Sequence, residues 1–168
     1  MAYEIERKFL IRMPDPAFLA ETASPSEIEQ TYLLRPAPHI NARVRKRGRE
    51  GAWSYTHTEK IRLSDLSRIE NEREIGEEEY RALLQQADPE RHVIRKTRWV
   101  LPWKGQNFEI DVYPFWQRQA VMEIELEREE QAVDFPPQIR ILREVTDDWR
   151  YLNSALAQSI PPEEPEKG

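Results

Sequence analysis

Charged residues recur at alternate positions along this chain, on segments where a half-buried strand would carry its core. The first instance is Glu4, Glu6 and Lys8 in EIERKFL; the spacing returns with Arg43 and Arg45, with Lys60 beside Thr56 and Thr58, and with Arg68, Glu70 and Glu72. Farther on, Lys96 and Arg98 alternate with Thr97 and Trp99, Glu109 and Asp111 with Phe108, Ile110 and Val112, and Glu123 and Glu125 with Met122, Ile124 and Leu126. Carboxylates two residues apart on a strand share one face about 7 Å from each other, and they repel unless a cation lies between them. Arg and Lys at the same spacing suit the oxygens of a phosphate-rich anion, Arg through its planar fork and Lys as a point charge. These faces offer eight acids and seven bases. The chemistry they suit is joint binding of a divalent cation and an oligophosphate.

Such faces need strands to hold them. Period-two alternation predicts eight: the opening segment, EIEQTYLLR (27–35), NARVRKR, AWSYTHTEKIRL, SRIENEREI (67–75), HVIRKTRWVL, QNFEIDVYP and AVMEIELER. Gly48 and Gly51 in GREG suit a hairpin, and PWKGQ supplies another turn. Three segments have helical character. PDPAFLAET is short, and GEEEYRALLQQA carries Glu77 to Glu79 at its start with Tyr80, Leu83 and Leu84 as a buried stripe. TDDWRYLNSALAQSI has Thr146 or Asp147 as N-cap and Trp149, Leu152, Leu156 and Ile160 as an apolar face. The fold class expected is α+β, mainly β.

An open antiparallel sheet would leave the charged faces in water. Solvated faces usually mix Thr, Ser, Gln and Lys, whereas several strands here offer only two carboxylates. Eight antiparallel strands are also a natural number for closing a barrel, and closure turns every charged face inward to line a tunnel. The apolar faces then point outward, Trp53 and Tyr55 among them, and need cover from the helices or from a second copy, so a homodimer is an expectation.

A chain of 168 residues suits one domain, taken here as residues 1–160, with the proline- and charge-rich 161–168 expected to be disordered. The net charge of −6 argues against nucleic acid as a partner. The basic run RVRKRGRE is read as a hairpin with Arg47 and Arg49 in solvent. There is no cysteine, so thiol nucleophiles and thiolate metal sites are excluded and any metal takes oxygen or imidazole ligands. No apolar run reaches the ~20 residues of a membrane span, and a cytoplasmic location is expected. His39, His57 and His92 fall off the charged faces.

With these residues in place the chain resembles the CYTH, or triphosphate tunnel metalloenzyme, family. The likeness runs in order through EIERK, QTYL (30–33), RVR (43–45), TEK (58–60), RIENE (68–72), KTR (96–98), EIDVY (109–113), EIE (123–125) and EVT with RYLN (144–153). It implies an eight-stranded antiparallel barrel that binds triphosphate with Mg²⁺ or Mn²⁺. By position it makes Glu4, Glu6, Glu123 and Glu125 metal ligands and Lys8, Arg43, Arg45, Lys60, Lys96 and Arg98 phosphate ligands, with Glu4, Glu6 and Lys8 at the chemistry. Arg68 is a further phosphate candidate, and Glu70, Glu72, Glu109 and Asp111 are second-metal or supporting groups. The activity implied is hydrolysis of inorganic triphosphate; class IV adenylyl cyclase, thiamine triphosphatase and a non-catalytic polyphosphate- or nucleotide-binding module are the alternatives. Ser154 stands where many relatives carry a basic residue after the helix asparagine, so the expectation is that Arg150 or Lys60 neutralises the leaving group or that turnover is slower.

Overall fold

A computed structural model describes residues 2–64 and 67–165, with side chains from Ile5 onward. The strands are β1 (Ala2–Arg12), β2 (Ser24–Tyr32), β3 (Ile40–Arg49), β4 (Ala52–Arg62), β5 (Ser67–Ile75), β6 (Ile94–Trp103), β7 (Gln106–Val112), β8 (Gln119–Leu126) and the short β9 (Ile141–Glu144). The helices are α1 (Pro16–Thr22), α2 (Glu77–Leu83) and α3 (Asn153–Leu156). Eight strands form a closed antiparallel ring in the order β1-β5-β4-β3-β2-β6-β7-β8, β8 returning to β1. Closure is uneven at β1. Its start, Ala2–Ile5, pairs with β5, whereas Phe9–Ile11 turns the same edge to β9. That ninth strand is absent from the alternation reading, being only four residues long. Arg7 holds it by donating to both carboxylate oxygens of Glu144, at 3.0 and 2.7 Å.

Two hairpins set the registers that place the site. Glu50 and Gly51 between β3 and β4, and Lys104 and Gly105 between β6 and β7, all have positive φ, the left-handed pair that a tight two-residue turn requires. Gly48 serves differently: it lies within β3, where a Cβ would come 1.9 Å from the carbonyl oxygen of Ala52.

Apolar side chains cover the outside. Ile5, Phe9, Ile11, Phe108, Ile110, Met122 and Ile124 form one cluster, covered by Leu19 of α1 and by Val133, Phe135 and Ile139 of the segment after β8. Asp15 caps α1, accepting from the Ala17 amide at 2.9 Å, with proline at the first turn. Ala42, Val44 and Ile75 form another cluster beneath Tyr80 of α2, whose ring meets Tyr55 at 4.8 Å. A third cluster joins Leu10, Tyr32, Ile94, Tyr113 and Val121 of the strands to Tyr151 and Leu156, and closes off part of one end of the ring. No helix among the described residues is long and apolar enough to cross a membrane.

The chain's last turn differs from the expected amphipathic helix. A 3₁₀ turn at Trp149–Tyr151, capped by Asp148, gives way to an extended Leu152 and then to the single turn of α3. Trp149 and Ile160 are 63% and 46% exposed, while Tyr151 and Leu156 are buried. The buried positions follow contacts with Trp116 and Tyr113, and a helical stripe drawn on the segment alone has no access to them. Residues 161–165 also depart from the expectation of a loose tail. Trp116 Nε1 donates to the Pro161 carbonyl at 3.0 Å, the Glu163 carboxylate accepts from the Gln117 and Arg118 amides, and the Glu164 amide donates to Gln119 Oε1 at 2.8 Å. Their partners sit on and before β8, so truncation after Ile160 is expected to lower the thermal midpoint by a few degrees in a calorimetric scan.

Candidate active site

Register decides which charges meet. Across β1 and β8, Glu6 faces Glu125 and Lys8 faces Glu123; across β7 and β8, Glu109 faces Glu123. On the other side of the ring Tyr32 faces Arg43, Gln30 faces Arg45, Arg43 faces Thr58 and Lys60 faces Glu70. Strands four apart in the ring lie opposite each other. The acidic β8 therefore faces the arginines of β3, β7 faces β4 with Lys60, and β5 with Glu70 and Glu72 faces β6 with Arg98. Most strands carry one sign of charge, bases on β3 and β6 and acids on β7 and β8, and opposite signs confront one another across the bore.

The enclosed cavity has a volume of about 220 Å³. Its described lining holds eight basic side chains against five carboxylates, so positive charge is in excess. Arg45 expresses that excess: burial and the neighbouring Arg43 and Arg98 push its guanidinium down to about 10, and its nearest carboxylate, Glu72, is 3.7 Å away. Arg47 is lowered too, by burial first and then by Arg98. An enclosed crowd of cations with too few anions is a site for an anionic ligand.

The carboxylates are already engaged. Glu6 accepts from Arg68 at 3.0 Å. Glu123 lies 3.3 Å from Lys8 Nζ, which also donates to the Tyr151 carbonyl at 3.1 Å. Burial opposes ionisation of Glu123, yet Lys8, Arg98 and Lys96 outweigh it and hold the carboxyl well below its usual range. Lys60 is 3.8 Å from Glu70, and Thr58 donates to Glu72 at 3.1 Å.

From the lining at Arg98 an ion cluster runs into the buried wall. Asp111 accepts from Lys96 at 2.7 Å and from Arg98 Nε and Nη2 at 2.7 and 2.9 Å, and Arg98 also reaches Glu109 at 2.9 Å. Burial would raise the Asp111 carboxyl, but Arg98 and Lys96 bring it down to about 2. Burial lowers Lys96 to about 7 against the opposing pull of Asp111. Asn153 ties the cluster to α3, accepting from Tyr113 at 2.5 Å with Lys96 at 3.5 Å.

The structure places Glu6, Lys8, Arg43, Arg45, Lys60, Arg68, Glu70, Glu72, Arg98, Glu109 and Glu123 around the cavity. Lys96 and Asp111 are buried in the wall behind Arg98 and do not line it, and Glu125 is exposed outside it. The Glu4 side chain lies outside the described residues; its backbone pairs with Arg68. Arg47, expected in solvent, lines the cavity instead, with its Nε donating to Ser26 at 2.9 Å. The period that marks Arg43 and Arg45 reaches Arg47 as well, so the signal was present in the sequence. Arg62 likewise continues the period of Lys60, and Tyr32, Asn41 and Ser154 are further lining groups that charge alternation does not single out.

Residues 2–147 match the family described as the CYTH domain. The inorganic triphosphatase of Nitrosomonas europaea is 37% identical over 162 residues, covering 94% of this chain and 99% of that protein. A crystal structure of an inorganic triphosphatase superposes with a TM-score of 0.60 at 33% identity, covering 96% of this chain and 99% of the other. A protein of Pyrococcus horikoshii superposes at 0.55 with 23% identity, over 76% and 80% of the two chains, a likeness of fold alone.

Proposed function

Because the chain belongs to the CYTH domain family, we propose that it is a divalent-metal-dependent hydrolase of inorganic triphosphate, releasing phosphate and diphosphate inside the ring. The observation that carries this reading is the cationic excess of the enclosed cavity, centred on Arg45. Its about 220 Å³ falls below the ~300–1,000 Å³ of pockets that take drug-sized ligands. That favours a bare phosphate chain over one carrying a nucleoside or a thiamine.

Arg43, Arg45 and Lys60 would grip the outer phosphoryl oxygens from the β3 and β4 wall, and Arg98 would do so from β6. Asp111 keeps the Arg98 guanidinium fixed and so spares its reorientation when charge develops. Water attacks the terminal phosphorus in line with the bridging oxygen; the P–O bridge breaks and diphosphate departs with its electrons. Lys8, held by Glu123 and the Tyr151 carbonyl, stands beside the carboxylate wall to offset charge on the transferred group.

A metal fits the donor set, which is oxygen only. Carboxylates face one another across strand pairs, Glu6 with Glu125 and Glu109 with Glu123, and a metal would share Glu6 with Arg68 and Glu123 with Lys8. No group of three carboxylates or imidazoles suited to a metal occurs among the described residues. Mg²⁺ does not need one, since it commonly takes one or two carboxylates, several waters and the substrate's own phosphates. Glu6 and Glu123 line the cavity and would hold Mg²⁺ or Mn²⁺ directly, with Glu4 and the exposed Glu125 as the further carboxylates the family likeness names; the metal when bound supplies charge neutralisation and a lowered water pKa.

Incubating the protein with either metal and triphosphate, thiamine triphosphate or ATP, and measuring phosphate, diphosphate and cyclic AMP, tests the reading. Triphosphate is expected to give equal phosphate and diphosphate, with kcat/KM at least tenfold above the other two. Cyclic AMP as the main product, or tight binding with no phosphate released, would overturn it.

A further inference from the structure

Gln30 is wholly buried inside the ring, and neither end of its amide has a hydrogen-bond partner among the described residues. It faces Arg45 across β2 and β3, and Arg45 faces Thr56 across β3 and β4. The three side chains thus form one inward row, at a Cα spacing of roughly 5 Å. That row holds two more orphaned atoms, Arg45 Nε and Thr56 Oγ1, and Arg43 Nε lies one step along β3. Each buried polar group without a partner costs about 1–3 kcal/mol. Of nine such side-chain atoms among the described residues, these five gather around Arg45, while the other four are scattered over the molecule.

Donors and acceptors in the row match one another. Gln30 Oε1 is an acceptor, Arg45 Nε a donor, and the Gln30 amide nitrogen a donor for which Thr56 Oγ1 is an acceptor. Arg43 and Arg45 line the cavity, and Gln30 does not, so it stands behind them. We propose that Gln30 is a positioning residue for Arg45, bridging Arg45 Nε and Thr56 Oγ1 once a phosphate chain draws the terminal guanidinium nitrogens into the cavity. The inference rests on the reading of Arg45 as a phosphate ligand.

A neutral acceptor suits this place. Fixing Nε aligns the two terminal nitrogens as a flat fork for phosphate oxygens. A carboxylate there would orient the guanidinium equally well but cancel the charge that attracts the substrate. Bridging accompanies binding, so losing it raises KM and leaves kcat nearly alone.

The test compares Gln30→Leu with the unmodified chain and repeats the substitution on Arg45→Ala. A hydrogen bond to a charged group contributes about 1.5–3 kcal/mol, so Gln30→Leu is expected to raise KM for triphosphate about tenfold or more, with kcat within about twofold. Its thermal midpoint should hold or rise, because an apolar side chain removes two orphaned atoms. On Arg45→Ala the same change should have no further effect on KM. A wild-type KM in Gln30→Leu, or an equal rise in KM on the Arg45→Ala background, would overturn the proposal. If the unmodified protein binds triphosphate without hydrolysing it, the hydrolase reading falls alone, and calorimetric Kd ratios for the same variants decide the role of Gln30.

Discussion

Asp111→Ala is expected to destabilise the protein by about 3–5 kcal/mol, the usual cost of removing one partner from a buried ion cluster. Asp111, Lys96 and Arg98 are all almost fully buried, and Asp111 is the shared acceptor of both cations. The two cations left behind are unequal. Lys96, already brought to about 7 by burial, can shed its proton and become neutral. Arg98 cannot, and it keeps Glu109 at 2.9 Å and the more distant charge of Glu123. Most of the loss therefore belongs to Arg98, and Asp111→Ala combined with Arg98→Met should recover part of it. Against a total stability of about 5–15 kcal/mol for a domain of this kind, the single change takes a large share. Urea titration reads it as a lower midpoint with an unchanged slope. A midpoint within error of the parent would mean that water reaches the cluster.

The pH dependence of the same group follows from its sign. The folded-state pKa of Asp111 is depressed to about 2. Its stabilising contribution is present above the unfolded carboxylate range and is lost as pH falls through about 2. At neutral pH the Asp111 carboxylate is ionised, so its pair with Arg98 can hold the guanidinium rigid before substrate arrives. Rigidity matters here because a pre-aimed cation stabilises developing charge without reorganising.

Much of this was legible in the sequence because the signal is periodic. Charge at alternate positions on seven of the eight predicted strands requires a polar face, and the number and type of strands point to closure. The ring order then makes β8 face β3 and β5 face β6, which no single strand reveals. Three features escaped for separate reasons. Arg47 belongs to the period of Arg43 and Arg45 but was read by its nearness to a hairpin, where solvent is the ordinary surrounding. Gln30 is neutral, so a search for charge passes over it although it occupies an inward position beside Arg45. The segment from Thr146 to Ile160 carries helical spacing, yet its buried residues are chosen by Trp116 and Tyr113, which lie far away in the chain.

Glu6→Ala should abolish metal-dependent turnover while Arg45→Ala should chiefly weaken substrate binding, because the two residues stand on different walls of the ring. Glu6 lies on β1 and lines the cavity, where its carboxylate would meet a divalent cation. Its removal takes away a ligand needed in the transition state, and kcat is expected to fall by about 10²–10³-fold, as for other single electrostatic groups in active sites. More Mg²⁺ should restore little. The substitution also leaves Arg68, which Glu6 holds at 3.0 Å, without that acceptor. Glu6→Gln therefore serves as the control: it keeps a hydrogen-bond acceptor for Arg68 but not the charge for a metal. Turnover lost equally in both variants, with the thermal midpoint spared only in Glu6→Gln, would separate the metal role from the ion pair. Arg45→Ala removes a cation already pushed down to about 10 by its cationic neighbours. Its loss relieves repulsion in the free protein and weakens the hold on substrate, so KM should rise about tenfold or more with a smaller change in kcat. Wild-type kinetics in both Glu6→Ala and Arg45→Ala would mean that the chemistry lies elsewhere than in this bore.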